Sequence, residues 1–451
     1  MMGGRVPSWV WVVLVGVHLL ALGWALSNRS WNFPDTGRYV QAAENLRQYG
    51  QLYARPWLGE TPQGQAVQEF TIRPVGYPWV IWQLRGMREL PLALLVFQNL
   101  LSLLNIGVVL SWWGYTGQRR TGHWLGAMVG TLTFPAQYIY ANAVMSEIVL
   151  QTVVVAFGVL SLLFIKTRNK GYYAGAAGMV VLGLLLKPVF YPLAAIVAGL
   201  GVVLAGQQRR VSLALIGLGP LVAVGLYMGW NEQRTGYFHF SSITEINLLQ
   251  YNAAGVVRQV KGPAAEEKWV DAVLQEANAQ PDFSARQRLI RVRAGAMLWA
   301  HPVVYAQQQM QGMAAFFLDP GRFDISQFFG LAPPVGGGLL TQMRAGTWWR
   351  AVSSLPWLLL GWLAIGLSAN IGRLVLAARG FWQLRRSGPM LRYGRWVAVG
   401  LLLYVAVLTG PLGAARFLVP VWPLLLALTL VGLSWEEKPV SPKKWAKRSG
   451  A

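Results

Sequence analysis

Ten apolar stretches follow one another along this chain of 451 residues, near 7–27, 91–113, 122–141, 147–165, 172–187, 190–206, 211–230, 352–377, 396–410 and 413–434. Runs of about 18–22 such residues cross a hydrocarbon core of roughly 30 Å as helices. The stretches are continuous rather than alternating, and in hydrocarbon a chain that closes no barrel satisfies its backbone only as helix. The pattern predicts an all-α polytopic membrane protein of about ten transmembrane helices. The first run, behind Arg5 and from Pro7 to Leu26, has the character of a secretion signal. It is longer than a signal's apolar region and no A-x-A site follows, so it reads as an uncleaved span.

Two polar segments interrupt the series, 28–90 and 231–351. In the first, Tyr39, Ala42, Ala43, Leu46 and Tyr49 recur at helical spacing with Arg38, Glu44 and Arg47 between them, which predicts an amphipathic helix lying along the membrane surface. In the second, helices are expected over Ala264 to Asn278, Ala285 to Trp299 and Val303 to Leu318, ahead of Gly336-Gly337-Gly338. The chain then divides into a seven-span module (1–230, including the outer loop), an extracytoplasmic loop (231–351), a three-span module (352–434) and a basic cytoplasmic tail (435–451).

Charge fixes the expected orientation. Lys and Arg number 39 against 17 Asp and Glu, a net charge of +22. Much of it sits in short connections: Arg119-Arg120, Lys166 to Lys170, Arg209-Arg210, Arg379 to Arg395, and Lys443 to Arg448 in the tail. Short basic loops stay in the cytoplasm, and successive clusters are separated by two spans, as that rule demands. Both termini are therefore expected in the cytoplasm and both long polar segments outside. With no soluble basic domain, nucleic acid is not an expected partner. The absence of Cys excludes thiol catalysis, Fe–S clusters and Cys-ligated zinc. The four His are scattered, and no zinc-protease, phosphate-loop or nucleophile-elbow signature is present, so no metal site is expected.

The charges that border apolar runs, Asp35, Glu147, Lys187 and Arg416, all fall on the long-loop side. Asp35 precedes a helix and is either its N-cap or a general base for a hydroxyl. Glu147 opens the fourth span, where a carboxylate complements the helix dipole or, being expensive in a membrane, serves function. Lys187 is the one charge in the 172–206 hairpin, snorkelling to the interface or holding a lipid phosphate. Arg416 starts the last span, either an anchor or a planar fork for phosphate. Arg73 and Tyr77 belong to Arg73-Pro74-Val75-Gly76-Tyr77-Pro78, which leads into the second span.

An outer-loop Asp before an amphipathic helix, the RP-x-GYP segment, Ser146-Glu147 opening the fourth span, and Arg416-Phe417 with Pro420 and Pro423 in the last form an ordered set. This arrangement resembles bacterial GT-C glycosyltransferases related to protein O-mannosyltransferases and the lipid A aminoarabinose transferase. The resemblance covers most of the chain in topology and about five short motifs in sequence. It implies a GT-C-like fold in a bacterial inner membrane. It also implies inverting transfer of a sugar from a polyprenyl-phosphate donor to a glycan, lipid or protein acceptor on the outer face. Asp35 takes the place of the catalytic base, Lys187 and Arg416 of the donor-phosphate cations, and Glu147, Arg73 and Tyr77 of supporting or acceptor-side residues. Lys187 stands where relatives often carry Arg. Thr36 stands where many carry a second acid, which leaves acceptor class and a divalent-cation requirement open. No cofactor is implied. Trp31, Trp57 and Trp269 are expected to roof the cavity.

Two other readings compete. A lipid flippase would use basic groups in a lateral groove without chemistry, but it predicts midplane charges and repeat-related broken helices. An O-antigen ligase or polymerase with a diphosphate donor would gather arginines in a large outer loop, as Arg286, Arg288, Arg291 and Arg293 do here.

Overall fold

The computed structural model describes residues 5–84, 91–117, 119–331 and 356–434, with Trp349 and Ser353 singly. The triple glycine and the basic tail lie outside the described residues. The architecture is all-helical, with no strand among the described residues. Eight helices are long and apolar enough to cross a membrane, and the chain is an integral membrane protein. In chain order the helices are α1 (Ser8–Asn28), α2 (Thr36–Tyr49), α3 (Gly76–Gln83), α4 (Leu92–Tyr115), α5 (Thr121–Leu132), α6 (Pro135–Ala141), α7 (Glu147–Thr167), α8 (Lys170–Leu186), α9 (Tyr191–Gln208) and α10 (Val211–Thr235). Then come α11 (Ile243–Asn247), α12 (Ala254–Lys261), α13 (Pro263–Asn278), α14 (Phe283–Ala300), α15 (Pro302–Leu318) and α16 (Arg322–Phe329). The chain closes with α17 (Trp357–Leu384), α18 (Pro389–Thr409), α19 (Ala415–Leu418) and α20 (Trp422–Leu433).

Two of the expected spans depart from plan. The 122–141 run is broken into α5 and α6 at Phe134, which precedes Pro135 and leaves helical geometry with φ −116° and ψ 79°. A residue before proline is pushed out of the α region by the ring. The 172–187 run forms α8, only 17 residues long. It stops at Lys187, which is extended before Pro188 for the same reason.

The amphipathic segments fold as their periodicity dictates. α2 buries Tyr39, Ala42 and Ala43, and α13, α14 and α15 cover the three stretches expected in the second polar segment. This second layer has its own small apolar cluster, Leu249, Ala253, Val273, Ala277, Ile290 and Ala294. The main core runs through the spans, with the fully buried Trp422 stacked on Phe134 at 5.1 Å. Inside it lies a polar chain no motif announces. Gln137 donates to Ser102 Oγ at 2.8 Å and bonds reciprocally with Gln151, and Ser102 Oγ lies 2.8 Å from His18 Nε2. Buried polar groups in hydrocarbon require such partners, and here the bonds tie α1, α4, α6 and α7 together.

Candidate active site

Five charged side chains from five separate parts of the chain meet in one continuous ion-paired array. Arg73 Nη2 lies 2.5 Å from Asp35 Oδ1, and Arg416 Nη2 lies 2.7 Å from Asp35 Oδ2. Arg416 Nε donates to Glu147 Oε1 at 2.6 Å, and Lys187 Nζ approaches the same oxygen at 2.7 Å. Arg416 is therefore the bridge between the two carboxylates. Glu147 is fully buried, and its Oε2 has no hydrogen-bond partner. Asp35 keeps 23% of its side chain accessible and Arg416 19%, so the array opens where those two meet.

Local structure explains each position. Asp35 occupies the N-cap position of α2, but its side chain makes no cap bond; both oxygens face arginines instead. The cap reading of Asp35 is thereby removed by where its carboxylate points. Thr36 does the structural work beside it. Its hydroxyl accepts from Phe33 N at 2.9 Å and donates to Val144 O at 3.2 Å, fastening α2 to the segment before α7. Thr36 is buried in that role.

Arg73 lies over the Tyr39 ring at 4.9 Å, and Tyr39 Oη is 3.3 Å from Ser146 Oγ. Tyr77 hydrogen-bonds to none of the five charged groups. It packs edge-on under Tyr39 at 5.0 Å and donates to Gln98 Oε1 at 2.6 Å, a support for the residue that supports Arg73. Gly76 seats this segment against α8: a Cβ there would sit 2.5 Å from Leu185 O. On the other side Arg416 is set by a glycine contact. Any side chain at Gly413 would run into the Gly312 backbone of α15, and Asp319 Oδ2 accepts from Ala415 N at 2.9 Å.

The electrostatics follow from this crowding. Burial would raise the Asp35 pKa, but Arg73 and Arg416 outweigh it and hold the carboxyl at about 2. A further acid, Asp324 of α16, sits close by. Tyr140 Oη donates to its Oδ1 at 2.7 Å, and complete burial drives its pKa up to about 7. Neither residue was expected from the sequence. Asp324 lies in a short helix within a long polar segment and resembles any solvated acid there.

The outer-loop arginines do not form a cluster of bare cations. Arg291 pairs with Glu245 and Arg293 with Glu276, while Arg288 donates to Ser284. The tryptophans expected as a roof are dispersed: Trp31 is buried in the core, Trp57 packs on Tyr53 and Phe70, and Trp269 joins the small outer cluster. Among the described residues no three His, Asp or Glu side chains converge as a metal site would need.

No protein-family model matches the chain, and no characterised protein matches it in sequence. Among solved structures, ArnT from Cupriavidus metallidurans bound to undecaprenyl phosphate aligns with a TM-score of 0.38 at 17% identity, over 95% of this chain and 77% of that one. The apo state of the same protein gives 0.36 at 16%, over 94% and 76%. The arabinosyltransferase EmbB from Mycobacterium smegmatis gives 0.32 at 15%, over all of this chain and 44% of that one. Likeness at this level carries no conclusion about this chain's chemistry, which has to come from the array itself.

Proposed function

We propose that the protein is a GT-C-type glycosyltransferase of a bacterial inner membrane. It moves a sugar from a polyprenyl-phosphate donor to a hydroxyl acceptor on the extracytoplasmic face, with inversion. The observation that carries this reading is the bridge made by Arg416 between Asp35 and Glu147. It places a candidate base and a phosphate-binding fork within one hydrogen bond of each other.

The three cations and two carboxylates of the array leave it with one net positive charge. A sugar joined to a single lipid phosphate is a phosphodiester of one negative charge, which that surplus neutralises. A diphosphate donor brings at least one more charge than the array can match. The phosphate would take Arg416 and Lys187 from their carboxylates, since a fork of N–H donors binds two phosphate oxygens at once. Loss of Arg416 frees one oxygen of Asp35 and raises its basicity from the strongly acidic value of the resting array. Donor binding would thereby switch on the base.

In the displacement, the acceptor oxygen attacks the anomeric carbon and the bond from that carbon to the phosphate oxygen breaks. The acceptor proton goes to Asp35, and the electron pair leaves with polyprenyl phosphate, its charge held by Arg416 and Lys187. Glu147 holds both cations in register. A flippase has less support, because the five ion-paired charges of the array gather at helix ends. The test is transfer by purified, reconstituted protein from matched polyprenyl monophosphate and diphosphate sugars. Turnover of the monophosphate series alone is expected. Turnover of the diphosphate series alone would replace this reading with a ligase, and binding without turnover would replace it with a carrier.

A further inference from the structure

A polar cavity of about 150 Å³ lies between the two outer segments, bordered by Arg38, Gln68, Glu245, Gln250, Leu274 and Arg286. It holds about five waters' share of liquid volume, close to one sugar ring with its hydroxyls. Arg286 is the unusual wall. It is only 4% exposed, its Nε donates to Asn278 Oδ1 at 3.0 Å, and its Nη1 reaches Gln68 Oε1 at 3.5 Å. No carboxylate pairs with it among the described residues. A buried charge without a counter-charge is costly, and a built cavity beside it invites an anion. Glu245 adds a second unfinished group: Oε1 is held by Arg291 at 2.5 Å, while Oε2 is buried and has no partner. An unpartnered carboxylate oxygen in such a place suits a hydroxyl donor. Of the charged groups lining the cavity, Arg38 is paired with Glu69 and Glu245 with Arg291, which leaves Arg286 as the one without a counter-charge among the described residues. The backbone here is also irregular. Leu249 and Gln250 sit in a π-helical turn, Leu248–Ala253, a form that recurs at functional sites.

Two chain segments carry residues of both the cavity and the ion-paired array. Arg38 follows Asp35 by three residues on α2, about 4.5 Å of helical rise, and Gln68 precedes Arg73 on the neighbouring turn. We infer that this cavity is a binding subsite for an anionic sugar, its carboxylate or phosphate on Arg286 and its hydroxyls on Gln68, Gln250 and Glu245. On the glycosyltransferase reading, on which this placement rests, the occupant is the acceptor residue next to the one attacked at Asp35. The enzyme would then extend an acidic glycan.

Binding is measured without any donor, so it fails or succeeds apart from transfer. Full-length protein in nanodiscs is titrated by saturation-transfer NMR with methyl glucuronide, glucose 6-phosphate and methyl glucoside. At least one of the two anions should bind about tenfold more tightly than the neutral glycoside or better, as expected of a charge-assisted contact. The two anions separate a carboxylate from a phosphate occupant. The preference should vanish in Arg286→Gln and survive in Arg288→Gln, an exposed arginine on the same helix whose side chain bonds Ser284. Equal affinity for all three probes, or a preference that persists in Arg286→Gln, overturns the inference. Should Arg286→Gln not fold, Gln68→Ala takes its place: it should weaken the tighter-binding anion, and unchanged affinity there also overturns it. Transfer from a polyprenyl donor with no such preference would sink this subsite alone.

Discussion

The candidate site is a few charged side chains whose partners are one another. Glu147 is the anchor: fully buried, it is the partner of both Lys187 and Arg416. Removing one member of a buried pair strands the other charges and costs roughly 3 kcal/mol. Glu147→Gln should therefore lower the thermal midpoint in detergent as well as turnover, whereas Asp35→Asn, at the open end of the array, should affect turnover far more. Arg416→Lys keeps the charge but cannot span two carboxylates; donor KM should rise at least tenfold with little change in folding. A rise in KM no larger for Arg416→Lys than for a surface control such as Arg288→Lys would contradict the bridging role. Asp324 supplies a pH signature. Its folded pKa of about 7 lies above its ordinary 3.8, so its contribution to stability is full below about 3.8 and is lost as pH rises through 7. Thermal midpoints of the wild type should fall from pH 5 to pH 8 relative to Asp324→Asn, and parallel profiles would show that Asp324 is not the titrating group. The sequence made Asp35, Glu147, Lys187, Arg416 and Arg73 visible because charges bordering apolar runs stand out. It left Asp324 and Tyr140 hidden because burial, not residue type, makes them unusual.

At the scale of elements, helix ends rather than helix faces assemble the site. α8 ends at Lys187 because of Pro188, α7 begins at Glu147, and the last span begins beside Arg416, so three termini deliver three charges to one level. Close backbone approaches hold those ends. Gly76→Ala would push against Leu185 O next to Lys187; overpacking of this kind costs about 1–3 kcal/mol. Its thermal midpoint should fall and its donor KM rise together, while Gly178→Ala, in α8 with open space around it, should leave KM unchanged and hold or raise the midpoint. Continuous hydrophobic runs made the spans legible, and helical spacing did the same for α2, α13, α14 and α15. The break between α5 and α6 was signalled only by a single X-Pro pair inside an otherwise apolar run. The cavity-forming contact between the two outer segments was not legible at all. It depends on Gln68 and Arg286, 218 positions apart, which no local periodicity connects.

The whole molecule has two unlike ends. α7 carries Glu147 at one terminus and Lys166 and Thr167 at the other, about 30 Å away at 1.5 Å per residue. The array and the basic connections thus lie a membrane thickness apart. The natural chain has no Cys, which makes single-cysteine labelling clean. Gln63→Cys should react with a membrane-impermeant maleimide added to intact cells, and Arg168→Cys only after permeabilisation. Labelling of both from the same face would break the assignment of the site to the extracytoplasmic side. The proposed removal of the acceptor proton by Asp35 is checked by transfer of radiolabelled sugar from polyprenyl-phosphate donors, comparing reconstituted wild type with Asp35→Asn at matched thermal stability. Wild-type turnover should fall by about 10²–10⁴-fold in the variant; turnover that persists unchanged in a folded Asp35→Asn protein would rule Asp35 out as the base.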